Sequence, residues 1–343
     1  MIAGGVRKAQ GTLAFGAPLC VAMALTVCAG IGAATPSSNP ATSASSGVAS
    51  ASAFAPRSAP ASTEDTLPAT QTGGFDGARA YAHVAKLVSF GPHPPESDGI
   101  HRAQQYIEAE LKSYGCPFED DDFHAPTPMG NMAMRNIVVK VPGSGSGIIL
   151  LLTHYDTKRE ANFVGAEDGG SSTGLMLEMA RLLCGRKDAS AVWIAFLDGE
   201  EAQLEEWTDT DSVYGSRELA ARMAVSGDLK RTKATILADM IGQNGLKIPK
   251  ESYSTKWLTD LVWATAARLG YKDVFVSRSM PIEDDHQPFL KRGAPAVDII
   301  DFDGFEAYWH TAQDTLDKVS ARSLGIVGHV ILESVAELQK KTH

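Results

Sequence analysis

A chain of 343 residues that is 44% hydrophobic and 21% charged has globular composition and enough length for one large domain or two small ones. Its 31 basic residues against 41 acidic ones give a formal net charge of -10, which argues against nucleic acid as a partner. Of four cysteines, Cys20 and Cys28 lie near the start, while Cys116 and Cys184 lie in the body and either pair in an oxidising compartment or stand as two separate thiols.

Arg7 and Lys8 precede an almost wholly apolar run from Leu13 to Ala34, and no further charge occurs until Arg57. That layout predicts export, with Gly32 and Ala34 small enough for cleavage of a signal peptide over residues 1–34. The run is also long enough for an uncleaved membrane anchor, so the protein is expected to be periplasmic, secreted or membrane-tethered. Bulky Val27 before Cys28 weighs against a lipoprotein. Without residues 1–34, which carry two cations and no acid, 29 basic residues face 41 acidic ones. Residues 35–74 are mostly Ala, Ser, Thr and Pro and read as a disordered linker, leaving 75–343 as the folded domain.

Within that domain "GARAYAHVAKLVSFG" and "DGIHRAQQYIEAELKSYG" show helical spacing of apolar residues, the second stopped by Gly115. "NIVVKVPGSGSGIILLLTHYD" reads as two strands joined by a hairpin turn; its GSGSG precedes a strand, unlike a phosphate loop, which follows one. Downstream, "SSTGLMLEMARLLCG", "SRELAARMA", "STKWLTDLVWATAARLG" and "ARSLGIVGHVILESVAELQKK" read as helices alternating with the strands "AVWIAFLD", "ATILADMIG" and "APAVDIIDF". Near-continuous Val, Ile and Leu in strands separated by helices predicts an α/β fold: a mixed, largely parallel central sheet with helices on both faces.

Such sheets bind ligands beyond the carboxyl ends of their strands. The residues there are His154 and Asp156, then Asp198, Glu200 and Glu201, then Asp239, and finally Asp298, Asp301 and Asp303. Three carboxylates within "FLDGEEA" at the tip of a buried strand would be costly without a cation to offset them. His154 and Asp156 stand at i and i+2, on the same side of a strand, and imidazole nitrogen and carboxylate oxygen are zinc ligands. Adjacent Glu200 and Glu201 cannot point the same way, so one can hold metal while the other faces a substrate as a base.

The blocks "THYDTK", "NFVGAEDGGSSTGLMLEMARLL", "FLDGEEA", "DSVYGSRELA", "LADMIG", "IEDDHQPFLKRGAP" and "YWHTAQDTLDKVS" together resemble, in order, the zinc-dependent glutaminyl-peptide cyclotransferases of the animal type. The resemblance runs from about Ala78 to the C-terminus, and that family shares its fold with the exported two-zinc aminopeptidases. It implies Asp168, Glu201 and His310 as zinc ligands and Glu200 as general acid and base. It further implies Asp239 and Asp284 as assisting carboxylates, and Trp207 and Trp309 as walls of a pocket for a glutamine side chain. One zinc ion is implied; in the two-zinc relatives His154 and Asp239 hold a second with Asp168 bridging, so the metal count stays open. The implied substrates are peptides or proteins with N-terminal glutamine. An exported zinc aminopeptidase is the alternative, and a non-catalytic binding module a more distant one. Two departures from the animal pattern stand out: one extra residue between Glu201 and Trp207, and Asp298 where those enzymes carry histidine.

Overall fold

A computed structural model of the chain describes residues 66–188, 190–302 and 307–341. The signal or anchor reading of residues 1–34 and Asp303 lie outside the described residues. Among the described residues no helix is long and apolar enough to cross a membrane.

The chain enters through α1 (Gly77–Val88) and α2 (Asp98–Ser113), each started by a side chain that accepts orphan amide protons. Asp76 caps α1 by accepting from Ala78 and Arg79, and Ser97 caps α2 by accepting from Ile100. Ahead of them, residues 66–74 of the stretch read as linker belong to the described fold. They include the turn Ala69–Gln71, buried Thr72, and Leu67 packed on the main core. Average composition hides this because the anchors are few: Leu67 on the core and the Thr72 hydroxyl on backbone carbonyls.

Six strands form the main sheet in the order β1 (Phe118–Thr127), β2 (Gly130–Val141), β4 (Ala191–Leu197), β3 (Ile148–His154), β5 (Thr232–Asp239) and β8 (Ala296–Ile300). The four strands from β4 to β8 run parallel, whereas β1 and β2 are antiparallel additions. Two sequence expectations need correction here. First, β2 and β3 do not form a hairpin: β4, buried at all seven positions, lies between them and pairs with both. Second, the hairpin is made by β1, whose charged sequence "FEDDDFHAPT" conceals a strand. As an edge strand it leaves carboxylates at the rim, where Arg135 meets Asp122 at 2.6 Å and Asp120 at 3.4 Å. A small second sheet pairs β6 (Ile248–Glu251) with β7 (Phe275–Met280).

Successive residues of the central strands feed opposite layers. Ile149, Leu151, Ile194 and Ile236 pack with Val84 of α1, Ile107 of α2, and residues of α3 (Gly170–Leu183), α6 (Lys256–Arg268) and α8 (Ala321–Lys341). Ile148, Leu150, Leu152 and Trp193 pack instead with α4 (Tyr214–Ser226), with Leu229 of α5 (Asp228–Arg231), and with Phe289 of α7 (Gln287–Leu290). A disulfide joins Cys116, just before β1, to Cys184, just after α3.

The topology decides where a site can form. From β3 the chain passes through α3 to β4 on one side, while from β5, the neighbour on the other side, it goes on to β8. Adjacent strands that send the chain in opposite directions open a crevice beyond their carboxyl ends. His154 is the last residue of β3, and Asp239 the last of β5.

Candidate active site

The other polar residues reach the crevice from connections. Asp168 stands just before α3, whose N-terminal dipole favours a carboxylate there. Glu200 and Glu201 follow β4, and His310 lies in the turns between β8 and α8. Three non-glycine residues around the crevice have left-handed backbone: Val213 at φ 45, Met240 at φ 45 and His310 at φ 52. Such strain is held only where surrounding structure over-determines it, as at a functional site. Val213 shows the constraint directly, its amide donating to the Glu200 carbonyl at 2.7 Å.

Asp168, Glu201 and His310 each present a ligand atom, and the three atoms lie within 4.8 Å of one another. His310 Nε2 is 3.3 Å from Asp168 Oδ2 and 3.1 Å from Glu201 Oε1. Asp168 Oδ2 and both Glu201 carboxylate oxygens are buried without a hydrogen-bond partner among the described residues. Bare buried carboxylate oxygens at ligand spacing beside an imidazole nitrogen fit a divalent ion such as zinc. His154, Asp168 and Asp239 form a second group with the same spacing. There His154 Nε2 lies 3.3 Å from Asp168 Oδ1 and 3.1 Å from Asp239 Oδ1, so Asp168 turns one oxygen to each group.

Behind these groups three further aspartates hold backbone rather than metal. Asp156 accepts from the amides of Glu200 at 3.0 Å and Glu201 at 3.4 Å. Asp314 accepts from Glu167 at 2.9 Å and Asp168 at 3.1 Å, and Asp211 accepts from Gln203 at 2.9 Å and Leu204 at 3.0 Å. Each carboxylate spans two consecutive amides; Asp156 thereby fixes the peptides of Glu200 and Glu201, Asp314 that of Asp168, and Asp211 the turn that follows Glu201. Asp156 therefore lies beside the crevice as a brace, its Oδ1 3.5 Å from His154 Nδ1.

The electrostatics follow from packing acids this densely. Burial lowers the proton affinity of His310, but Asp168 and Glu201 outweigh it and carry the ring up to about 10. Burial raises Asp168, yet contacts with His154 and His310 pull it below the ordinary carboxylate range. Glu200 is pushed well above the usual value, first by burial and then by Glu201, Asp284 and Asp285, with His154 opposing. Asp284 is raised in the same way by burial, Asp239 and Asp285. Other acids near the strand tips serve elsewhere. Asp198 Oδ2 accepts from the Arg135 amide at 2.9 Å, and Asp301 accepts from Gln243 Nε2 at 2.6 Å. Asp298 is buried in β8, and His286 lies between it, at 3.8 Å, and Glu251, at 3.1 Å.

A cavity of about 310 Å³ opens onto the first ligand group. Its polar floor is Asp168, Glu200, Glu201, Asp239, Asp284 and His310, and its apolar walls include Met240, Ile282, Ile300 and Phe302. Trp207 and Trp309 complete the mouth; Trp309 stacks on His310 with ring centroids 3.9 Å apart and meets Phe302 edge-on at 5.0 Å. The extra residue before Trp207 thus leaves that indole on the cavity wall. Asp168, Glu200, Glu201, Trp207, Asp239, Asp284, Trp309 and His310 line this cavity, whereas His154 sits beneath it in contact with Asp168 and Asp239, and Asp156, read with His154 as a candidate ligand pair, holds the Glu200 and Glu201 amides instead.

The model of peptidase family M28 matches residues 136–335, the segment that carries every one of these groups. The chain belongs to peptidase family M28. Within it, the similarity is to glutaminyl cyclases. A glutaminyl cyclase from an Acidobacteriales bacterium superposes with a TM-score of 0.74 at 41% identity, covering 78% of this chain and 96% of that one. A glutaminyl-peptide cyclotransferase-like protein of Mus musculus is 33% identical over 253 residues, which is 65% of this chain and 66% of the mouse protein's length. A Zn-dependent exopeptidase from Parabacteroides distasonis has the same fold, with a TM-score of 0.70 at 28% identity over 76% of this chain and 97% of that one. The M28 fold and its glutaminyl-cyclase branch accord with the resemblance read from the motifs.

Sequence reading passed over Lys158 and the braces Asp211 and Asp314, and took the brace Asp156 for a ligand. Lys158 ends the "THYDTK" block, is 3% exposed and lines the cavity. Asp314 and Asp211 carried a weak signal, since each lies a few residues from a motif residue, but only folding makes them face the amides they hold.

Proposed function

We propose that this protein is a zinc-dependent glutaminyl-peptide cyclotransferase, converting the N-terminal glutamine of peptides to pyroglutamate with release of ammonia. The observation that carries the proposal is the cavity itself, in which a three-residue ligand group lies beside buried Glu200 and under two indoles. Asp168, Glu201 and His310 would hold the zinc ion. When bound, zinc supplies Lewis-acid polarisation of the side-chain amide carbonyl.

The chain's own residues supply the proton transfers. Glu200, with its proton affinity raised by burial, takes a proton from the substrate's α-amine as the amine nitrogen bonds to the side-chain carbonyl carbon. It returns that proton to the amide nitrogen, the carbon–nitrogen bond breaks, and ammonia leaves behind a five-membered lactam. Asp284 accepts a hydrogen bond from the departing nitrogen, and Asp239 orients the amine. Trp207 and Trp309 hold the folded side chain so that two groups of one residue meet, which keeps the entropy cost small. Export is part of the same reading: Arg7, Lys8 and the apolar run to Ala34 support it, as does the Cys116–Cys184 disulfide, a bond of oxidising compartments.

The second ligand group, His154 with Asp168 and Asp239, favours one other reading, a two-metal aminopeptidase. Supplying purified protein with Gln-led and Leu-led peptides separates the two. Pyroglutamate and ammonia from the first support the cyclase, whereas free leucine from the second, without ammonia, overturns it.

A further inference from the structure

Lys158 has no role in the mechanism above, yet it is 3% exposed and forms part of the cavity wall. Its ammonium makes no ion pair or hydrogen bond with a described residue. The backbone around it is fixed on both sides. Thr157 and His93 are joined by hydrogen bonds of 3.3 and 2.9 Å, and Arg159 reaches the Pro95 carbonyl at 2.8 Å and Gln203 Oε1 at 3.1 Å. A lysine on the cavity wall, its neighbours anchored and its ammonium without an acceptor among the described residues, is poised for an acceptor that arrives with a ligand.

The wall around it narrows the choice. Seven carboxylates line the same cavity and suit the donor groups of a substrate, its amine and its amide N–H. Lys158 is the lysine of the wall, and the other side-chain N–H donors there besides the ligand His310 are the indoles of Trp207 and Trp309, both partly open to solvent. An N-terminal glutaminyl residue carries two acceptors: the side-chain carbonyl, assigned to the metal, and the main-chain carbonyl of its first peptide bond.

We infer that Lys158 binds the main-chain carbonyl oxygen of the substrate's first residue, making it the third fixed point that orients the glutamine for ring closure. The inference rests on the cyclase reading. It explains why a peptide or amide, rather than a bare amine with a carboxamide tail, would be the preferred substrate: the carbonyl is present in every peptide whatever residue follows.

The test compares two substrates on three enzymes. One substrate is a Gln-led peptide; the other is the same peptide with an (E)-alkene in place of its first peptide bond, which keeps the shape and removes the oxygen. On the Gln-led peptide, Lys158→Met is expected to lower kcat/KM about 10- to 100-fold, chiefly through KM, the range of a lost charge-assisted hydrogen bond. On the alkene substrate it should change kcat/KM less than twofold, and Lys158→Arg should recover much of the loss on the peptide. Zinc content and thermal midpoint should stay as in the parent protein. Equal losses on both substrates would assign Lys158 to general charge balance and overturn the inference, as would no loss on either. A parent enzyme that releases no ammonia from the peptide would instead overturn the cyclase reading itself, and this inference with it.

Discussion

Asp156→Asn isolates the brace behind the paired glutamates. The carboxylate of Asp156 is fully buried and uses both oxygens, one on the Glu200 amide at 3.0 Å and one on the Glu201 amide at 3.4 Å. Asparagine has the same shape but a single acceptor. With its oxygen on the shorter bond, its NH₂ group confronts the Glu201 amide, donor against donor. The longer bond contributes little, so most of the cost is the stranded buried N–H, about 1–3 kcal/mol, plus the loss of charge from the shorter bond, about 1 kcal/mol. A total of about 3 kcal/mol corresponds to a fall in Tm of roughly 5 °C for a domain of this size. Because the displaced peptide carries Glu201, affinity for zinc should fall about 10- to 100-fold, as for other groups that support metal ligands. Differential scanning calorimetry of chelator-treated protein gives the first quantity, and competition against a fluorescent zinc chelator gives the second. A variant with Tm within about 1 °C of the parent and zinc affinity within twofold would refute the idea that this carboxylate holds the turn.

Glu200→Gln should abolish turnover of Gln-led peptides while one equivalent of zinc, measured by atomic emission, remains bound; retained activity would remove Glu200 from the chemistry. The metal-free protein should lose stability as pH rises from about 5 to 8. Asp285 and Asp314, raised mainly by burial to about 7, bind protons in the folded state that the unfolded chain, with carboxylates near 4, has released. His310, held at about 10, adds the same sign above about pH 6.5, where an unfolded histidine discharges. Urea midpoints of the chelated protein at the two pH values check this, and a midpoint at pH 8 equal to or above that at pH 5 contradicts it. Cys184→Ser opens a link between residues 68 apart in sequence and should cost about 4 kcal/mol in the chain-entropy picture, read as a lower denaturant midpoint. An unchanged midpoint would mean that the unfolded chain gains no freedom from the cut.

The helices were legible because their apolar residues recur at helical spacing, as in α8, and the parallel strands because burial on both faces demands unbroken apolar runs, as in β3 and β4. β1 was not, since an edge strand with carboxylates at its rim has no such pattern. The supposed β2–β3 hairpin failed for a related reason: local sequence shows that two strands are near in the chain, but not that a third, wholly buried strand will claim an edge of each.

Sequence by itself determined the kinds of group available and the strand ends at which they sit, because ligand chemistry is a property of the residue and strand ends follow from apolar patterning. Tertiary structure alone decided which of those groups meet. It set Asp168 between His154 and His310, sent Asp198 and Asp301 to hold backbone and a glutamine, paired Cys116 with Cys184, and left Lys158 on the cavity wall without an acceptor among the described residues. Distances across a sheet depend on strand order and crossover direction, and those are fixed by how the whole chain buries its apolar faces, not by any short run of residues.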